Sequence, residues 1–340
     1  MPFPTALRAR SSPRASTGTL GLALIAMAGT VNGLNAQPYP SRALTLVVPF
    51  AAGGGSDATG RIIADAMSKH LDQSVVVENV SGAGGAVGSM RVKGARPDGY
   101  TIGLGSTGSL VGTVAINPKL KFDSREDFDF LGLVNSTPNI VFVRKSLPVS
   151  TMVEFIAFAK AKGRDLKIGH TGIGAASHMT CVLLFQLIAV EPTYVTYRGY
   201  GQTISDILSG SIDGSCDLVS SASGHITGGA VKGLAVADVS RSAAVSDVPN
   251  AIEVGLPKFK AETWIGLFLP KGIPAVIHAR LSDALTKSLT DPGVGKRFAD
   301  IGATLPLRER QGGEYLRRLV ISEVDHWKTI LKQEAQDLPQ

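Results

Sequence analysis

Short β-branched apolar runs, each leading through a glycine-bearing turn into a segment of helical periodicity, recur along the chain. They constrain its fold more than any other feature. Residues 43–49 (ALTLVVP) form the first run. The turn AAGGGSD (51–57) follows, and then residues 56–71, where Ile62, Ile63, Ala66, Met67 and Leu71 share one helical face. Strand patterns recur at 74–78, 100–104, 139–144, 166–169, 194–197, 212–218, 233–237 and 264–269. Helical patterns recur at 151–162, 178–190, 204–208, 275–289 and 314–332. In the first of these, Thr151 and Glu154 have capping-box spacing and Gly163 is a stop signal. Such alternation predicts an α/β architecture with largely parallel sheets. No Pro/Gly-rich linker separates two sequential domains, which suggests a chain that crosses between two lobes.

Composition narrows the class. Of 340 residues, 44% are hydrophobic and 18% charged, enough to bury a sizeable core and too apolar for disorder. The formal charge of +6 overstates the basicity of the body. Without residues 1–36 there remain 31 basic and 28 acidic residues, a net of +3, with no basic cluster of the kind nucleic acids require. Residues 1–36 have the pattern of a cleavable secretory leader. Arg8, Arg10 and Arg14 precede the short apolar run 20–28, and Leu34-Asn35-Ala36 offers a cleavage site. That run is too short to span a bilayer, which needs roughly 20 residues. The body is therefore expected to start near Gln37 and to be soluble in the periplasm. In an oxidising compartment Cys181 and Cys216 either pair or remain two buried thiols.

Motifs for catalysis are sparse. GxSxG, GxxxxGK[ST] and HExxH are all missing, and His170 and His178 are too far apart for an i,i+4 metal pair. No metal, cofactor or catalytic residue is expected. AAGGGSD places glycines and a small hydroxyl between a strand and a helix, where main-chain N–H groups and the helix dipole favour an anion. Ser56 is the candidate N-cap, and Asp57 a first-turn carboxylate favoured by the dipole. GLGSTG (103–108) matches the GxGxxG pattern, GAGGAVG (82–88) nearly does, and TGIGAASH (171–178) has a similar texture. A nucleotide-dependent oxidoreductase is the reading that rests on GLGSTG. Asn117-Pro118 interrupts the helix such a site needs. What the three loops share is amides and small hydroxyls (Ser106, Thr107, Thr171, Ser177) near strand ends, which suits a small anion in a cleft. His178 stands between a structural hydrogen-bonder and a ligand contact. Arg198 stands between a bidentate carboxylate clasp and a surface residue. Asp213 and Asp217 are candidate salt-bridge partners for Arg198.

PFAAGGGSDATGR (49–61), VVVENVSGAGGAVG (75–88), PDGYTIGLGSTG (97–108), TGIGAASH (171–178), YRGYGQTISDILSGSID (197–213), GLAVADVSRSAAVSDVPNAIEVGLPKF (233–259) and WIGLFLPKGIP (264–274) occur in that order. In this combination the chain resembles the Bug-type substrate-binding receptors of tripartite tricarboxylate transporters, from about Tyr39 to about Gly313. The resemblance implies a type II periplasmic binding protein fold with a ligand cleft between two lobes. Lobe 1 would be 37–140 plus 264–340 and lobe 2 141–263, with crossings at 139–144 and 262–267. It further implies a small carboxylate ligand: a di- or tricarboxylate, an acidic amino acid or an aromatic acid. Main-chain amides and ordered waters would hold it. Gly53, Gly54, Gly55, Ser56 and Asp57 would form one half of the site. Thr171, Gly172, Gly174, Ala175, Ser177 and His178 would form the other. The implied partners are membrane permease subunits, or a sensor kinase if the same trap serves signalling. A monomer without ATP or another cofactor is the simplest form. Ala51 and Ala52 where the family favours proline, Tyr200 where it favours a small residue, and Cys216 are departures that bear on ligand identity rather than fold.

Overall fold

This computed structural model describes residues 39–331. The secretory-leader reading of 1–36 lies outside them, as does Lys332, the expected end of the last helix. The described residues contain nine strands and ten α-helices. The strands are β1 (Leu44–Val48), β2 (Val75–Asn79), β3 (Thr101–Ser106), β4 (Phe128–Arg144), β5 (Lys167–His170), β6 (Thr193–Thr196), β7 (Gly214–Leu218), β8 (Val231–Val236) and β9 (Glu262–Pro270). The helices are α1 (Gly55–Leu71), α2 (Ala86–Lys93), α3 (Thr113–Ile116), α4 (Met152–Lys162), α5 (Ala176–Ile188), α6 (Tyr200–Ser209), α7 (Val219–Thr227), α8 (Ala275–Leu289), α9 (Pro292–Asp300) and α10 (Gly313–Ile330).

The strands run in the order β2-β1-β3-β9-β4-β7-β5-β6, and β8 also pairs with β4. β1 is parallel to β2 and β3, whereas β9 is antiparallel to both β3 and β4. β1 is apolar on both faces because helices cover both. On one face Leu44, Leu46 and Val48 meet the stripe Ile62, Ile63, Ala66, Met67 and Leu71 of α1. Each of the larger of these side chains, once buried, contributes about 1.5–3 kcal/mol relative to exposure. On the other face Val47 joins Ala86 and Val92 of α2, Phe268 of β9 and Trp327 of α10.

β4 is the element that unites the molecule. Over 128–138 it pairs with β9 in the first sheet. From Asn139 onward it pairs with β7 on one side and β8 on the other, in the second sheet. Only 139–144 were expected as strand, and Gly132 and Asn135 interrupt the apolar pattern before it. The structure absorbs them by register shifts after Phe130 and Leu133, the behaviour of β-bulges. α7 was not expected either. Its sequence VSSASGHIT is poor in strong helix formers, and its apolar positions Val219, Ala222 and Ile226 are too few to stand out along the chain.

Cys181 of α5 and Cys216 of β7 form a disulfide, with Cα atoms 5.5 Å apart as bridging requires. Linking residues 35 apart in sequence restricts the unfolded chain by about 3–4 kcal/mol. The expected partnership of Arg198 with Asp213 or Asp217 does not form. Asp213 binds Arg144, Oδ1 to Nε at 3.1 Å. The β4–β7 register places Val143 opposite Gly214, so Arg144 and Asp213 adjoin. Asp217 is buried elsewhere, 3% exposed.

Candidate functional site

Strand ends from both sheets converge on one cavity. Phe50 follows β1, Ser106 ends β3, Thr171 follows β5, Gly199 follows β6, and Asp217 and Leu218 end β7. Carboxyl ends of strands are where open α/β sheets place ligands. Four helices also begin at this cavity. Gly55 and Ser56 open α1, Ala176 and Ser177 open α5, Tyr200 opens α6, and Ser221 lies in the first turn of α7. The first amides of a helix lack intrahelical acceptors and carry the positive end of its dipole. Four such ends around one space form a strong acceptor of negative charge. Among the described residues that line it, none is Lys, Arg or His.

The first loop is held from outside the cavity. Asn79 Nδ2 donates to the Phe50 carbonyl and to Asp57 Oδ1, both at 3.0 Å. The Gly53 amide donates to Asp57 Oδ2 at 3.0 Å, and Arg61 pairs with the same carboxylate. Burial works against ionisation of Asp57, but the bonds from Arg61, Gly53 and Asn79 outweigh it and hold the carboxyl below its usual value. Asp57 therefore positions the loop and does not line the cavity. The N-cap of α1 is Gly54, not Ser56 as expected, and no side chain caps the helix. Ser56 instead sits in the first turn, and its amide is one of the uncapped donors.

The facing loop is held in the same manner. Ser177 Oγ accepts from the Thr171 amide at 2.9 Å and lies 2.8 Å from Thr171 Oγ1. A buried polar chain runs from Thr263 through Asn139 and Thr180 to the Ala176 carbonyl. It ties the strands β4 and β9 to the start of α5.

The remaining expected residues lie nearby in other roles. Ser106 lines the cavity while also capping the helical turn that begins at Thr107. Thr107 Oγ1 accepts from the Trp264 amide at 3.1 Å. Gly172, Gly174 and Ala175 pack against loops of the first sheet, where a Cβ on Gly112 would overlap the Gly174 carbonyl oxygen. His178 is buried against His170 and Tyr194, and burial, with the neighbouring His170, pushes it down to about 3. Arg198 is exposed and belongs to a separate groove with Ser81 and Tyr197. Gly103 and Gly105 of the GLGSTG motif lie within β3, against Phe268 and Leu110, rather than in a phosphate-binding turn.

Sequence reading missed Phe50, Ala51, Ala176, Gly199, Tyr200, Asp217, Leu218, Ser221 and Thr263 as cavity residues. A usable signal existed for most of them, since they directly follow or end apolar strand runs. Ser221 carried none, because α7 itself was not expected.

Comparison with known proteins agrees with this geometry. The family profile described as "Tripartite tricarboxylate transporter family receptor" matches residues 59–335. A protein from the TAR-I ttuE-ttuC' intergenic region of Agrobacterium vitis is 38% identical over 271 residues, covering 80% of this chain and 78% of its own. MatC of Rhodopseudomonas palustris, solved with bound malate, superposes with a TM-score of 0.83 at 36% identity, covering 86% of this chain and all of that one. The periplasmic binding protein BugD superposes with a TM-score of 0.84 at 32% identity, covering 89% of this chain and all of that one. With its type II periplasmic binding protein fold, this chain belongs to the Bug-type receptor family of tripartite tricarboxylate transporters.

Proposed function

We propose that this protein captures a small carboxylate between two lobes, residues 37–140 plus 264–340 and residues 141–263, and presents it to a membrane permease. The observation that carries the reading is the meeting of four helix N-termini at one cavity, with no lysine or arginine among the described residues that line it. Backbone amides and the hydroxyls of Ser106 and of the Thr171–Ser177 pair supply the donors, while the Ser221 hydroxyl serves Asp217. Such a site binds an anion through fixed dipoles and needs no counter-charge. Malate in the related MatC fits this ligand class.

The protein acts by capture rather than turnover, in the periplasm after loss of its leader. Among the described residues no helix is long and apolar enough to cross a membrane. Closure over the ligand excludes water and strengthens each hydrogen bond. Ligand shifts the open–closed equilibrium only by its extra affinity for the closed form.

A thermal-shift screen with mono-, di- and tricarboxylates and aromatic acids tests the reading. A ligand present at a thousand times its Kd stabilises the native state by about 4 kcal/mol, a clear rise in melting temperature. No rise with any member of the screen overturns the proposal.

A further inference from the structure

We propose that the ligand carries a hydrogen-bond donor, a hydroxyl or an ammonium group, close to its carboxylate, and that Asp217 Oδ2 accepts from it. The inference rests on the reading of the cavity as a carboxylate site and narrows the ligand class.

Asp217 is the one charged side chain among the described residues lining the cavity. It is 3% exposed at the end of β7. The Leu218 amide donates to its Oδ1 at 2.7 Å, and no hydrogen bond reaches the buried Oδ2. Buried polar atoms without a partner are rare and costly in folded proteins. Cys216, its neighbour on the strand, points into the opposite core. Asp217 is thereby turned toward the cavity rather than the disulfide.

The charge balance supports an acceptor role. Burial pushes the Asp217 carboxyl up to about 6, although the Leu218 amide and the Ser221 hydroxyl pull the other way. Above that pH the group is ionised and can only accept. The titratable group beside it is Tyr200, whose phenol is kept neutral by burial and by the Asp217 charge. The Tyr200 hydroxyl is engaged with His225 Nδ1 at 3.1 Å. Among the described residues that line the cavity, no cationic side chain offsets Asp217. A bare carboxylate would meet a second negative charge at low dielectric. A donor between the two turns that repulsion into a hydrogen bond.

The test is calorimetric titration of the purified protein at pH 7.5 with three matched series. These are succinate, malate and aspartate; glutarate, 2-hydroxyglutarate and glutamate; and phenylacetate, mandelate and phenylglycine. In the series that fits the cavity, a donor-bearing acid should bind at least about tenfold tighter than its bare analogue. In Asp217→Asn the Leu218 contact is kept, and an amide NH2 replaces Oδ2. The preference should then collapse while the bare acid still binds. Preference for the amino acid alone assigns an ammonium group, and preference for the hydroxy acid a hydroxyl. Equal affinity for bare and donor-bearing acids in the unaltered protein overturns the proposal, whether or not the variant folds. So does an equal loss for all acids in Asp217→Asn. So does tighter binding of every acid as the pH falls through 6, which would mark a protonated Asp217 donating to the ligand. A folded protein that binds no carboxylate at all overturns the carboxylate reading instead.

Discussion

The Gly55 amide donates to the Ser221 hydroxyl at 2.9 Å, joining the first turn of α1 to the first turn of α7 across the cavity. These residues are 166 apart in sequence and come from helices on different sheets. The bond exists only while the two sides are together, so it adds to the free energy of closure. A neutral hydrogen bond contributes about 1 kcal/mol, or about fivefold in Kd. Ser221→Ala should therefore weaken ligand binding by at least about that factor, since the same hydroxyl also serves Asp217. Calorimetry checks it.

A second relationship tests closure by steric means. Gly112 faces the Gly174 carbonyl and Met179 Sδ so closely that a Cβ would overlap both. Its own φ of −60° and ψ of −42° are helical, so valine is tolerated locally. Gly112→Val should fold with an unchanged far-UV circular dichroism spectrum. Overpacking costs about 1–3 kcal/mol, and here it falls on the closed form. Affinity should drop by about fivefold to 150-fold, read by calorimetry.

A buried histidine pair makes acid work against the fold, and two buried carboxyls oppose it. His170 and His178 rings lie 4.6 Å apart. Burial pushes them down to about 4 and about 3, with His170 adding to the effect on His178. The unfolded chain takes up these protons near pH 6.5 while the folded protein does not. Stability is therefore full above pH 6.5 and is lost as the pH falls toward 4. Asp217 and Glu323 act in the opposite sense, since burial raises them to about 6 and about 7. Their contribution is present at low pH and lost as the pH rises through those values. Each pKa unit is worth about 1.4 kcal/mol. Between pH 7.5 and 5 the two senses nearly cancel, so the denaturation midpoint of the unaltered protein should change little. In His178→Asn the carboxyls prevail and the midpoint should rise as the pH falls, whereas in Asp217→Asn the histidines prevail and it should fall. A midpoint in Asp217→Asn that does not fall with pH would refute the histidine account.

Most of the secondary structure could be read from local pattern. The α8 boundaries were anticipated to the residue, and the Thr151–Glu154 capping box forms as its spacing indicates. Periodicity and caps are written within one or two turns of chain, so a sequence displays them directly. The first loop at Gly53–Asp57 was visible for the same reason: a strand, a glycine run and a helix stand in succession.

Contacts between distant segments were a different matter. The two cysteines remained ambiguous until α5 packed on β7. Asp217 read as a candidate salt-bridge partner for Arg198 until its strand ended at the cavity. Arg198 stood between a clasp and a surface residue until the fold left it exposed in another groove. Ser221 and Gly112 carried no signal, since a serine in a weak helix and a glycine facing a glycine look ordinary along the chain. Their roles arise only where two sheets meet, and that meeting depends on how β4 passes from one sheet to the other.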